Sequence, residues 1–321
     1  MRTGHALGVA VAALLAGAPA AQAQTYPAKP VRVTVAFAAG GIADGVGRMV
    51  SLRLAERFGQ PFVVENRGGA GGNVAAKQVM VAAPDGYTLL VTTAALAINA
   101  SLHKDAGFDP LADFAPVAIT ASTPGLIVVH PSVTAADLKE YLQSMKGKRL
   151  TYATAGVGSS SHLAGEYLFR TLAGMDATHV PYQGGAPAVT AALAQQVDAL
   201  SISMPTPLPH VKQGKLKALA VASLARVAAL PDVPTIAESG FPDFEERSWV
   251  AFFAPARTSP EIVALLNGAI NDALRQPEVR DRLNALGFEP HGGSSQEFSS
   301  YLRKEVEKWA RIIKTTGVTA N

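Results

Sequence analysis

Three glycine-rich turns are the segments of this sequence best suited to chemistry. Each follows an apolar run and opens a helical pattern. They are Ala39-Gly40-Gly41-Ile42-Ala43-Asp44, Gly156-Val157-Gly158-Ser159-Ser160-Ser161 and Gln183-Gly184-Gly185-Ala186-Pro187. A helix N-terminus leaves backbone N–H groups unpaired and carries partial positive charge, so it favours anions. Glycine lets the backbone approach a ligand closely. Parallel sheets bring such turns together at the carboxyl ends of their strands, where ligands bind. No Lys or Arg lies in any of the three turns, so an anion held there would rest on backbone N–H groups and hydroxyls. Ordinary strand-to-helix turns also use Gly and Ser without a ligand; what favours binding is the presence of three such turns in one chain.

Two side chains within these turns have open roles. His162, in the first turn of its helix, is expected to be neutral, because the positive helix end disfavours an imidazolium. It could line a cleft or hold the serine loop. Asp44 could cap its own helix or reach a ligand ammonium or hydroxyl; near a bound carboxylate it would repel. Other chemistries fit less well. Ser159, Ser160 and Ser161 adjoin His162, but the hydrolase pattern Gly-x-Ser-x-Gly that Gly158 and Ser160 begin ends on His162 instead of Gly. The seven His include no i, i+4 pair of the kind that binds zinc. Gly68 to Gly72 lacks the Lys-Ser/Thr of a P-loop.

The elements that must position these turns alternate. Val31 to Phe37 reads as a buried strand, and Ile42, Val46, Val50, Leu54 and Phe58 recur at i+4 on one helix face. Phe62 to Val64, Tyr87 to Thr93, Leu126 to Val129, Leu150 to Thr154, Ala177 to Pro181, Val197 to Ser201 and Leu216 to Ala222 read as strands. Helices are predicted over Ala135 to Met145, His162 to Leu172 and Ala188 to Gln195. This alternation predicts an α/β fold with a mostly parallel sheet. Ser259-Pro260 opens a helix, and Ser294-x-x-Glu297 is a capping box opening a last helix that carries Trp309, read as a core anchor. The stretches Phe114 to Val129 and Arg247 to Ala254 could each cross between two lobes.

Arg2, the uncharged run Ala6 to Ala18 and the Ala21-Gln22-Ala23 triplet read as a secretory signal peptide cut after Ala23. With no Cys in the chain, neither a lipidated Cys nor a disulfide is expected. The remaining 298 residues suggest about two domains. Without Arg2 the balance is 27 basic against 25 acidic side chains, too mild to point to nucleic acid or an anionic membrane.

Seven ordered motifs resemble the Bug receptors, the periplasmic solute-binding components of tripartite tricarboxylate transporters. They are Tyr26-Pro27-x-Lys29-Pro30, Phe37-x-x-Gly40-Gly41-x-x-Asp44, Asn66-Arg67-x-Gly69-Ala70-Gly71-Gly72-Asn73 and Pro84-Asp85-Gly86-Tyr87-Thr88-Leu89-Leu90, then Gly156-x-Gly158-Ser159-x-x-His162-Leu163-Ala164, Val180-Pro181-Tyr182 and Gly214-Lys215-Leu216-Lys217-Ala218-Leu219-Ala220. The resemblance implies a two-lobed periplasmic-binding-protein fold of type II kind with two crossing strands. Lobe 1 would comprise 24–122 and 250–321, and lobe 2 would comprise 123–249. It implies reversible binding of a small carboxylate, no catalysis and no cofactor. The expected contacts are Phe37, Ala39, Gly40, Gly41 and Asp44 in the first loop, and Gly158, Ser159, Ser160 and His162 in the second. Thr92, Thr93 and Ser203 complete the set. The implied partners are transporter membrane subunits or, alternatively, a sensor kinase, with the receptor itself a monomer. A periplasmic serine hydrolase is the remaining alternative. The sequence departs from the family pattern at Ala39, Gly68 and Gln195-Gln196, where a proline, a proline and Gly-Gly or Gly-Glu are usual.

Overall fold

The computed structural model describes residues 26–103 and 106–319. The expected signal segment, 1–23, lies outside them. Two sheets share one long strand. In the first sheet, Val31–Val35 (β1), Phe62–Asn66 (β2) and Thr88–Thr93 (β3) run parallel in the order β2-β1-β3. Between and after them come the helices Ile42–Phe58 (α1), Asn73–Met80 (α2) and Ala95–Leu102 (α3). Phe114–Val129 (β4) then runs 16 residues and leaves the first sheet for the second.

The second unit repeats the theme. Leu138–Ser144 (α4), Leu150–Thr154 (β5), Ser160–Gly165 (α5), Ala177–Pro181 (β6) and Gly185–Leu193 (α6) follow in order. Ala199–Ser203 (β7), Leu208–Lys212 (α7) and Lys217–Val221 (β8) complete it. β6, β5 and β7 are parallel, whereas β4 is antiparallel to both β7 and β8. Arg247–Pro255 (β9) returns to the first sheet, antiparallel between β3 and β4. Pro260–Arg275 (α8), Pro277–Ala285 (α9), Glu289–Pro290 (β10) and Ser295–Thr316 (α10) close the chain.

The change of sheet within β4 is sharp. Ser122, Thr123 and Pro124 pair with Trp249, Ser248 and Arg247 of β9, and beyond them the partners are β7 from Gly125 and β8 from Leu126. Pro124 and Gly125 therefore mark the point where the two halves join. Two of the helix starts follow from their capping side chains. Ser259 accepts from Ile262 N–H, and Ser294 exchanges hydrogen bonds with Glu297. α1 stops at Gly59, which adopts a left-handed conformation.

Three buried clusters hold this arrangement. One joins the first sheet to α1, α2, α3, α8 and α10 through Val33, Leu54, Ile98, Phe253 and Phe298. Two others flank the second sheet, around Tyr152 and Phe169 on one face and Leu126, Ile202 and Leu200 on the other. Leu163 of α5 packs into the first cluster, so this helix of the second unit also seats on the first. Trp309 is buried. Its indole N–H and that of Trp249 both donate to Glu305 Oε2, each at 3.1 Å.

Several boundaries differ from the sequence reading. The helix expected from Ala135 starts after Asp137, which caps it through Glu140 N–H. The one expected from His162 starts at Ser160 and widens into a π-helix over Glu166–Leu172. α6 begins at Gly185, ahead of Pro187, because proline is tolerated in the first helical turn.

Candidate functional site

A cavity of about 30 Å³ lies where the carboxyl ends of the two sheets face each other. From the first unit come Phe37, Gly41, Ile42 and Ala43, at the end of β1 and the start of α1, with Thr93 after β3. From the second come Ala155, Ser159, Ser160, Ser161 and Gly185, with Ile202, Ser203 and Thr206 after β7. Ser248 of β9 completes the wall. Seven of these residues carry hydroxyls and none carries a charge. α1 and α6 both begin here without a side-chain cap, so their first N–H groups remain donors toward the cavity. What such a lining offers chemically is a set of hydrogen-bond donors converging on an acceptor-rich group.

The second loop is internally braced. Ser159 caps α5 by accepting from His162 N–H at 3.2 Å, and its own hydroxyl donates to Gly156 O at 2.7 Å. His162 Nδ1 accepts from Gly158 N–H at 3.3 Å, and its ring stacks on His179 with centroids 4.1 Å apart. Burial pushes His162 down to about 4 and His179 to about 3, so both rings are neutral. The neutrality expected of His162 holds, but its main cause is desolvation. With Nδ1 committed to Gly158, this ring is not paired to a serine hydroxyl as a hydrolase base would be.

Asp44 braces the first loop. Its carboxylate accepts from Gly40 N–H at 2.9 Å, Arg48 Nε at 2.8 Å and Asn66 Nδ2 at 3.0 Å. It reaches back to the turn and does not act as the N-cap, a position held by Gly41. Of the residues singled out in the sequence, the structure gathers Phe37, Gly41, Thr93, Ser159, Ser160 and Ser203 around the cavity. Ala39, Gly40, Asp44, Thr92, Gly158 and His162 lie in or behind the same loops and are not among the lining residues. Thr206 and Ser248 were missed. Ser248 sits on the stretch read as crossing between lobes, a signal that strand residues there could face the cleft.

The two units touch across the cleft. Ala38 N–H donates to Gln183 O at 3.0 Å. Gly158, at φ +79°, lies against the Asn99 side chain, and Gly71, at φ +63°, lies against Val157 O. A side chain at either glycine would overlap its neighbour, so both the positive φ and the close approach require glycine here.

A family model described as the tripartite tricarboxylate transporter family receptor matches residues 46–318. The structure of the periplasmic binding protein BugD is 34% identical, with a TM-score of 0.88 over 92% of this chain and 99% of that one. The R. palustris protein Rpa4515, solved with adipate, is 33% identical, with a TM-score of 0.88 over 92% and 99%. MatC from Rhodopseudomonas palustris, solved with bound malate, is 35% identical, with a TM-score of 0.85 over 90% and 100%. The two-lobed α/β architecture read from the sequence is thus that of solved periplasmic binding proteins.

Proposed function

Because the chain belongs to the tripartite tricarboxylate transporter receptor family, whose members are solute receptors and not enzymes, we propose that it captures a small dicarboxylate between its two units and delivers it to transporter membrane subunits. The observation that carries this reading is the cavity wall of seven hydroxyl residues and two uncapped helix starts without a charged side chain. Such a site pairs carboxylate oxygens with preorganised donors. Relatives solved with adipate and malate support a ligand with two carboxylates.

At about 30 Å³ the cavity has room for roughly two waters, so a diacid enters by parting of the lobes. We take the lobes as 24–122 with 250–321, and 123–249, hinged on β4 and β9 where Pro124 meets Arg247. The proposed site residues are Phe37, Gly41, Thr93, Ser159, Ser160 and Ser203, with Asp44, Gly158 and His162 holding the loops. We place the receptor in the periplasm, released there by removal of residues 1–23.

The experiment is a thermal-shift panel of mono-, di- and tricarboxylates, including malate and adipate. At 100 times Kd a ligand adds about 2.7 kcal/mol, roughly 5–10 °C for domains of this size. At least one carboxylate should do so. A transition moved only by sugars, cations or peptides overturns the reading.

A further inference from the structure

We propose that a cationic pocket at the far end of the second unit is the surface that docks an acidic, apolar-tipped segment of the transporter's membrane subunits. The proposal rests on the transport reading above and names the partner surface that reading requires. The pocket is bounded by α4, the turn after it and the end of the π-helix, and measures about 600 Å³. Its rim carries Lys139, Lys146, Lys148 and Arg149 against one carboxylate, Asp176. All five are exposed. None of the four cations pairs with a carboxylate among the described residues. The acids nearest to Lys139 in the chain are engaged by backbone: Asp137 accepts from Glu140 N–H, and Glu140 accepts from Ala136 N–H. Arg149 Nε donates to the Thr178 hydroxyl at 3.2 Å, which fixes that guanidinium at the rim. The whole chain is close to balanced, with 28 basic and 25 acidic side chains, so this excess of positive charge is local.

The floor of the pocket is apolar. Leu142, Met145, Met175 and Phe241 pack on the core cluster around Tyr152 and Phe169 and also border the pocket. Leu172 stands beside them, 38% exposed. A concave apolar floor under a rim of one sign is complementary to an acidic segment that inserts an apolar side chain, and methionine adapts readily to such a guest. A single small carboxylate is too short to meet the rim. Lys139 lies on α4 and Lys146 just beyond its end, roughly 10 Å apart along the helix axis. A bilayer surface is flat on this scale, so it would meet the cations without reaching the floor.

The pocket stands clear of the ligand cleft. Arg149 immediately precedes β5 and Asp176 immediately precedes β6, whereas the cavity begins past the other end of β5, at Ala155. The length of that strand separates the two sites by roughly 16 Å. Every residue lining the pocket falls within 139–241, inside the second unit. Parting of the lobes therefore leaves the pocket intact, and docking neither blocks the cleft nor requires it to be filled. The unpaired cations also speed encounter with an acidic partner.

The test compares wild type with the charge-reversed variant Lys139→Glu, Lys146→Glu, Lys148→Glu, with its neutral counterpart Lys139→Gln, Lys146→Gln, Lys148→Gln, and with Leu172→Ser. All four are exposed positions. Calorimetric titration of malate and adipate should give affinities within about twofold of wild type, since distant sites act independently. Uptake of labelled malate and adipate is then measured in spheroplasts of cells deleted for this chain, with purified receptor added back. At equal receptor concentration, charge reversal should lower uptake roughly tenfold or more. The neutral variant and Leu172→Ser should show smaller losses in the same direction. Full uptake with the charge-reversed variant overturns the docking proposal alone. A wild type that binds a diacid yet supports no uptake overturns the transport reading, and docking on its subunits falls with it.

A second arm identifies the occupant without any ligand. A photo-crosslinking side chain in place of Gln143, which lines the pocket, should join the receptor to an acidic segment of a transporter membrane subunit. The yield should be the same with and without malate and should vanish on charge reversal. Crosslinks to phospholipid, or cosedimentation of wild type with phosphatidylglycerol vesicles that charge reversal abolishes, assign the pocket to the membrane and overturn the proposal. A yield that charge reversal leaves unchanged overturns it as well.

Discussion

Replacing Gly158 by Ala should weaken ligand binding by far more than it weakens the fold. Two costs act at this position. The first is conformational: φ is +79°, and an alanine there pays roughly 1–2 kcal/mol in every state of the protein. The second arises only when the two units meet, because the new methyl would overlap the Asn99 side chain on α3 of the opposite unit. Overpacking of this kind costs about 1–3 kcal/mol, which translates to roughly 5–150-fold in affinity. Gly147 is the matched control. Its φ is +75° and nothing lies within 4 Å of an added methyl, so Gly147→Ala pays the first cost alone. Urea denaturation should show similar stability losses for the two variants. Calorimetric titration should show weaker binding for Gly158→Ala only. Equal affinities in wild type and Gly158→Ala would refute the idea that the glycine contacts belong to a closed, ligand-holding state.

Further outcomes follow from the braced loops and the core. Glu305→Ala leaves two buried indole N–H groups without an acceptor and should cost about 2–5 kcal/mol in urea denaturation, whereas Glu305→Gln retains an acceptor and should cost less. His162 and His179 have folded pKa values depressed to about 4 and about 3. The stability from keeping them neutral is complete above their unfolded value near 6.5 and is lost as pH falls below it, at about 1.4 kcal/mol per pH unit for each ring; denaturation midpoints measured between pH 7 and 5 should fall less steeply in His179→Gln. Ser159→Ala removes the hydroxyl that caps α5 and donates to Gly156 O, so it should cost about 1 kcal/mol of fold in urea denaturation and weaken binding only through the loosened loop. Ser159→Asp can still cap α5 but sets an anion in the cavity wall, so titration should show binding largely abolished with folding intact.

The alternation of strands and helices was legible because parallel strands buried on both faces leave continuous apolar runs such as Val31 to Phe37. Both crossing strands were legible as long extended stretches, and β4 follows its predicted bounds, Phe114 to Val129. The short helices α3, α7 and α9 were not read. α3 is apolar on nearly all sides because it is buried, which removes the periodicity that marks a helix. Within the site, the hydroxyls of Ser159 and Ser160 could be anticipated from their place after a strand, and that of Ser203 only from the family resemblance. Whether His162 faced the ligand or the loop could not, because that depends on the His179 ring, which arrives from β6 and stacks on it.

The central claim is that a carboxylate is held here by backbone N–H groups and hydroxyls without a cationic side chain. A crystal structure of the protein with malate or adipate bound tests it most directly. The account predicts carboxylate oxygens about 3 Å from N–H groups at the start of α1 or α6 and from hydroxyls among Thr93, Ser160, Ser203 and Ser248. A carboxylate paired with an Arg or Lys side chain, or seated in a pocket away from Gly41 and Ser159, would contradict it.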